Sequence, residues 1–133
     1  MKPFMLDTHA LLWAIGDSGK LSPQIAEEIR NGRKDVFVSA ISLWEIVLKQ
    51  SIEKLELNFA LEDIPMYCQQ MGFSLIPLKP LDVLGFKKLP KKENHKDPFD
   101  RMLVYQCIAN GYVLVSKDAR MAGYKDDGLE CVW

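Results

Sequence analysis

An α/β fold, with a mostly parallel sheet covered by helices on both faces, is predicted by two features of this chain. The strand candidates are continuous apolar runs, the pattern of strands buried on both sides, and helix candidates alternate with them from one end to the other. A length of 133 residues is that of one ordinary domain, and a 48% hydrophobic composition supplies one sizeable core. The organisation expected is a single domain over residues 1–133, without internal repeat, low-complexity tract or linker.

The first strand is expected over Pro3 to Leu6, a short apolar run. A helix follows from His9 to Ile15 and stops near Gly16. Ser22 with Pro23 reads as an N-cap and first-turn proline for a helix whose buried face is Ile25, Ala26 and Ile29, ending at Gly32. Val36-Phe37-Val38 is the second strand, and Ser39 caps a helix from Ala40 to Gln50. A helix over Ala60 to Met71 stops at Gly72, with Pro65 marking a break or the first turn of a later segment. The third strand is expected over Phe73 to Leu78 and a short helix over Leu81 to Phe86. Lys87 to Lys96 reads as a polar, lysine-rich loop. Pro98 to Asn110 is a helix closed by Gly111, Tyr112 to Val115 the fourth strand, and Glu130 to Trp133 a fifth.

Composition excludes several classes. A net charge of −1 advertises no general affinity for nucleic acid, so contact with a polyanion must use local basic patches and metal. The three cysteines, Cys68, Cys107 and Cys131, are scattered and form no C-x-x-C pair, which argues for reduced thiols in a cytoplasmic protein. The first apolar run stops at Asp7, too short for a signal peptide, and no stretch approaches the ~20 apolar residues of a membrane span. The chain has no G-x-x-x-x-G-K-[ST] or G-x-G-x-x-G loop. Ser42 lacks the surroundings of an acyl-transfer nucleophile, and His9 and His95 lack zinc-helix spacing.

Four acids border the most hydrophobic segments: Asp7 after Phe4-Met5-Leu6, Glu45 within Ile41 to Leu48, Asp100 before Met102 to Tyr105, and Asp118 after Tyr112 to Val115. In a parallel sheet, Asp7 and Asp118 leave the same carboxyl edge, where open α/β sheets bind ligands. Glu45 lies on the helix after the second strand and Asp100 in the first turn of the helix before the fourth. Two such carboxylates ~4 Å apart repel by about 4 kcal/mol at an effective dielectric near 20, so a shared rim survives by binding protons or cations, and a divalent metal site of oxygen ligands is the most economical explanation. Simpler roles stand beside this one. Asp7 and Asp118 fit helix caps, Glu45 fits an i,i+4 pair with Lys49, and Asp97 fits the N-cap ahead of Pro98. His9 reads as a packing residue. Trp13 and Trp44 read as core residues, with a protein interface as the alternative. Lys87, Lys88, Lys91, Lys92 and Lys96 read as a solvated loop or as a guide for a nucleic-acid backbone.

Met5-Leu6-Asp7-Thr8-His9-Ala10-Leu11-Leu12-Trp13, Ser42-Leu43-Trp44-Glu45-Ile46 with Lys49, His95-Lys96-Asp97-Pro98-Phe99-Asp100-Arg101 and Ser116-Lys117-Asp118 resemble, in order, the motifs of PIN-domain proteins of the VapC-like toxin branch. One departure is Glu53 before Lys54-Leu55, where many relatives carry glycine. The resemblance implies a three-layer α/β/α fold and a metal-dependent endoribonuclease, the toxin of a toxin–antitoxin pair. It implies a catalytic quartet of Asp7, Glu45, Asp100 and Asp118, with Asp97 and Ser116 as accessories. It further implies a small antitoxin as partner and a homodimer. Hard oxygen ligands suit Mg²⁺ or Mn²⁺. One ion is expected on Asp7, Asp100 and Asp118, with Glu45 on a second ion or on the attacking water. A processing nuclease outside toxin–antitoxin systems, or a silent binding module of the same fold, are the alternatives.

Overall fold

The computed structural model describes residues 1–133. Five strands, β1 (Phe4–Leu6), β2 (Val36–Ser39), β3 (Phe73–Ile76), β4 (Val113–Val115) and β5 (Glu130–Val132), form one sheet in the order β3-β2-β1-β4-β5. All four pairings are parallel. The expected parallel α/β sheet is therefore present, and "mostly parallel" sharpens to wholly parallel.

Alternation along these strands splits the core in two. Phe4, Leu6, Val36, Val38, Val113 and Val115 point to one face, under helices α1 (Thr8–Gly16), α2 (Pro23–Arg30) and α4 (Ile64–Gln70), which supply Leu11, Ile25, Ile64 and Cys68. Met5 and Leu114 point to the other, where α6 (Pro98–Asn110) supplies Met102, Leu103, Val104 and Cys107. Each fully buried aliphatic side chain contributes about 1.5–3 kcal/mol, so both layers hold the sheet. Helix α3 (Ala40–Ser51) straddles them, giving Ile46 to the first core and Ile41 to the second. Helix α5 (Pro80–Gly85) packs on α6.

The caps follow the sequence closely. Ser22 accepts from Ile25 N, Ser39 from Ile41 N, and Gly111 closes α6 at φ 73°, where a β-carbon would be strained. The helix foreseen over Ala60 to Met71 is divided at the break that Pro65 was read as marking: a 3₁₀ turn, Leu61–Asp63, precedes α4, in whose first turn Pro65 has no N–H to donate. The short helix that Asp118 was read as capping is a 3₁₀ segment, Ala119–Asp127, with buried Met121 and Tyr124. Two details differ from expectation. The lysine-rich loop is not wholly solvated: Leu89 and His95 are buried within it. Trp44 is 55% exposed rather than core, and with Val47, Leu48 and the C-cap residue Ile52 it forms an apolar outer stripe along α3.

Candidate metal centre

Strand β1 is the point where the sheet order reverses, with β2 and β3 on one side and β4 and β5 on the other. The crevice beyond its carboxyl end is where such folds bind ligands. Asp7 stands there. Its N–H donates to Val115 O at 3.0 Å, and its Oδ1 accepts from Ala10 N at 2.8 Å, so the residue both extends the sheet and caps α1. Ser116 follows β4; its hydroxyl accepts from Asp118 N at 3.1 Å. Asp118 in turn caps the 3₁₀ segment through Arg120 N at 2.9 Å.

Two helices deliver the remaining acids. Glu45, on the buried side of α3, is only 2% exposed. Its Oε1 accepts from Thr8 Oγ1 at 2.5 Å, and its Oε2 accepts from Lys49 Nζ. The i,i+4 pair read from the sequence is thus real, but it shares the carboxylate with a buried hydroxyl. Asp97 caps α6 by accepting from Phe99 N and Asp100 N at 2.9 and 3.0 Å. Asp100, one turn in, then faces the rim.

Asp7, Glu45, Asp97, Asp100 and Asp118 line one pocket of about 460 Å³ with His9, Trp13, Lys49, Lys117 and Arg120. Two groups of ligand atoms lie within 4.8 Å of one another: Glu45, Asp97 and Asp100, and His95, Asp100 and Asp118. Asp100 belongs to both. Asp7 belongs to neither of these triplets, although it lines the same pocket.

The charges are strained where they meet. Burial, and then the carboxylates of Asp97, Glu45, Asp7 and Asp118, push the Asp100 carboxyl up to about 7. Asp7 is also raised by burial, against the pull of the Ser116 hydroxyl and the Ala10 N–H. Asp118 is lowered, because the Arg120 guanidinium grips both its oxygens, with Nη2 2.7 Å from Oδ2. A site that protonates a carboxylate near neutrality offers a ready place to a divalent cation, and an oxygen-rich donor set fits a hard one.

His95, for which sequence reasoning found no role, is 1% exposed and buried beside this cluster. Its Nδ1 lies 2.8 Å from Tyr124 Oη, and its Nε2 lies 3.5 Å from Asp100 Oδ2 with no hydrogen-bond partner. Thr8 and Arg120 were also missed; each follows a singled-out acid by one or two positions, the only signal in the chain that points to them. His9 is exposed and stacks on Trp13 at 5.6 Å between ring centroids. Trp13 is half-buried and meets Trp133 edge-on, also at 5.6 Å. Among the lysines, Lys92 is held 2.8 Å from Asp127 Oδ2 and lies over the Tyr124 ring, whereas Lys87, Lys88, Lys91 and Lys96 are exposed.

A family model described as PIN domain matches residues 4–126. The chain is 24% identical to "Ribonuclease VapC22" of Mycobacterium tuberculosis (strain ATCC 25618 / H37Rv) over 135 residues, covering the whole of both proteins. Its fold is similar to that in the crystal structure of DNA-bound VapBC from Salmonella typhimurium, with a TM-score of 0.67 and 20% identity over 99% of this chain and 98% of that one. It is also similar to VapBC2 from Rickettsia felis bound to a promoter DNA fragment, with a TM-score of 0.65 and 16% identity over 97% and 96% of the two chains.

Proposed function

This chain belongs to the PIN-domain family, and we propose that it is a divalent-metal-dependent endoribonuclease, the toxin of a toxin–antitoxin pair. The observation that carries the reading is the convergence of Asp7, Glu45, Asp97, Asp100 and Asp118 on one pocket at the switch point of the sheet. A full-length relative named a ribonuclease and fold neighbours crystallised as VapBC complexes support it. In this reading the substrate is RNA, the partner is a small antitoxin that covers the acidic groove, and the protein works as a homodimer in the cytoplasm. No helix is long and apolar enough to cross a membrane.

Asp100, shared by both groups of ligand atoms, would be the principal holder of Mg²⁺ or Mn²⁺, with Asp7, Asp97 and Asp118 around it. When bound, such an ion lowers the pKa of water and draws off charge building on the phosphoryl oxygens. The chain's own residues do the positioning. Thr8 and Lys49 fix the two oxygens of Glu45, so that this carboxylate can orient the attacking water without rotating away. Ser116 steadies the Asp118 turn by accepting, at its hydroxyl oxygen, from the Asp118 N–H. Arg120 and Lys117 bring positive charge to the mouth of an acidic pocket that must accept a polyanion.

Single-turnover cleavage of RNA tests the assignment. Asp7→Asn, Glu45→Gln, Asp100→Asn and Asp118→Asn are each expected to slow cleavage roughly 100-fold or more, the equivalent of a few kcal/mol of transition-state stabilisation. Undiminished cleavage by the Asp100→Asn protein would remove that residue from the site. Growth arrest on induction, relieved by Asp7→Asn and by co-expression of a small protein encoded beside the gene, tests the toxin role.

A further inference from the structure

His95 is an unusual residue to find where it is. It belongs to a loop of polar side chains, yet it is buried to 1% exposure. One ring nitrogen is accounted for, since Nδ1 meets Tyr124 Oη at 2.8 Å, and that phenol also accepts from Arg101 Nε at 3.4 Å. Arg101 is itself pinned by the carbonyl oxygens of Leu89 and Pro90, so the loop is tied to α6 on the N-terminal side of the histidine. The other nitrogen, Nε2, is buried without a hydrogen bond and lies 3.5 Å from Asp100 Oδ2. An unpaired buried polar nitrogen costs about 1–3 kcal/mol. Placing its lone pair against a carboxylate is favourable only if a proton or a metal ion lies between them, and 3.5 Å is long for a shared proton.

We propose that His95 Nε2 is a nitrogen ligand for a divalent cation, which it holds together with Asp100 and Asp118. This position lies beside the all-carboxylate one of Glu45, Asp97 and Asp100, and Asp100 bridges the two. The inference rests on the metal-dependent reading given above and extends it. The three ligand atoms lie within 4.8 Å of one another. Ligand bonds of about 2.0–2.2 Å place neighbouring and opposite donors of one ion roughly 3–4.4 Å apart, so modest side-chain adjustment closes the site. Arg120 occupies Asp118 and must release it; its side chain is half exposed and free to swing out. The contact from Nδ1 to Tyr124 has the form of the outer hydrogen bond that fixes a metal-ligating imidazole, with Nδ1–H donating and the Nε2 lone pair left for the ion. An imidazole donor favours first-row transition ions over Mg²⁺. Of the two ions considered, the His95 position therefore prefers Mn²⁺ to Mg²⁺, while the carboxylate position takes either.

Mn²⁺ binding to the full-length protein, followed by electron paramagnetic resonance with pulsed detection of nitrogen coupling, tests this without reference to catalysis. The wild-type protein is expected to bind Mn²⁺ with a coupled imidazole nitrogen. His95→Phe, which keeps a flat ring without donors, should lose that coupling and weaken the affected Mn²⁺ site at least about 10-fold. Tyr124→Phe should weaken it by about 10–100-fold, as loss of an outer partner does. Mg²⁺ affinity at the carboxylate position should change far less in both. Bound Mn²⁺ without nitrogen coupling in the wild-type protein would overturn the His95 assignment and leave the carboxylate site standing. Coupling that survives His95→Phe would transfer the role to His9, the other histidine near the pocket, and equally overturn it. Absence of any bound Mn²⁺ would sink both readings together.

Discussion

Thr8 Oγ1 donates to Glu45 Oε1 at 2.5 Å, joining the first residue of α1 to the buried side of α3. Both residues are buried, so no water replaces the hydroxyl if it is removed. Thr8→Val keeps the shape and removes the donor. It is expected to cost about 1–3 kcal/mol of stability, the penalty of an unpaired buried carboxylate oxygen. It should also slow RNA cleavage, while Thr8→Ser preserves both. Urea unfolding and single-turnover cleavage measure the two effects; a Thr8→Val protein as stable as the parent would refute the role.

The acid held near neutrality makes the metal-free protein sensitive to pH in a defined direction. Asp100 is raised from 3.8 to about 7, so between those values the folded chain retains a proton that the unfolded chain has released. Stability is therefore greatest at the acid end of that window and falls as pH rises through it; Asp7, also raised by burial, adds in the same direction. Asp100→Asn is expected to flatten this slope and to raise the melting temperature of the metal-free protein above pH 7. In the parent, Mn²⁺ or Mg²⁺ should restore stability most strongly above pH 7, and a chelator should remove the gain. Thermal melts across pH 4–8, with and without metal, check the sign.

Glu53 is the one residue other than glycine with a positive φ, 59°, two residues after α3. It occupies a turn conformation that favours glycine, and a side chain there carries a left-handed penalty of about 1–2 kcal/mol. Glu53→Gly relieves the strain at some cost in unfolded-chain entropy. A net gain of roughly 0.5–1 kcal/mol, seen as a melting temperature a few degrees higher, is expected. Glu53→Ala should give no comparable gain.

Of the lysines between α5 and α6, four point to solvent and one does not. Alanine at Lys87, Lys88, Lys91 and Lys96 together should weaken RNA binding and reduce the slope of log K against log salt, by up to about 0.7 for each phosphate no longer neutralised. Lys92→Ala should act instead on stability, because Lys92 pairs with Asp127 and covers Tyr124. Filter binding over a salt series separates the two; an unchanged slope in the quadruple variant would mark these lysines as solvated only.

Much of this was legible in the chain. Apolar runs such as Met5-Leu6 and Val113-Leu114-Val115 have no polar face, and only a sheet covered twice accepts them. Caps at Asp7, Ser39 and Asp97 are local chemistry that sequence spacing carries directly. The gathering of the acids was legible because strand direction places Asp7 and Asp118 on one edge. What was not legible depended on long-range packing. His95 lies among lysines, and only Tyr124 and Arg101, which lie outside that loop, take it inward. Trp44 sits on a helix apolar nearly all round, and periodicity alone does not say which side faces solvent.

The order of the strands also sets when the pocket comes into being during synthesis. Strand β1 leaves the ribosome before the other four strands, but one of its two neighbours, β4, follows only after β2, β3 and α6. Until then Asp7 has no Val115 carbonyl to bond, and neither Ser116 nor Asp118 exists. A translation product ending in α6 would possess Asp7, Glu45 and Asp100 but lack Ser116, Asp118 and the Val115 carbonyl that holds Asp7, so its pocket is incomplete.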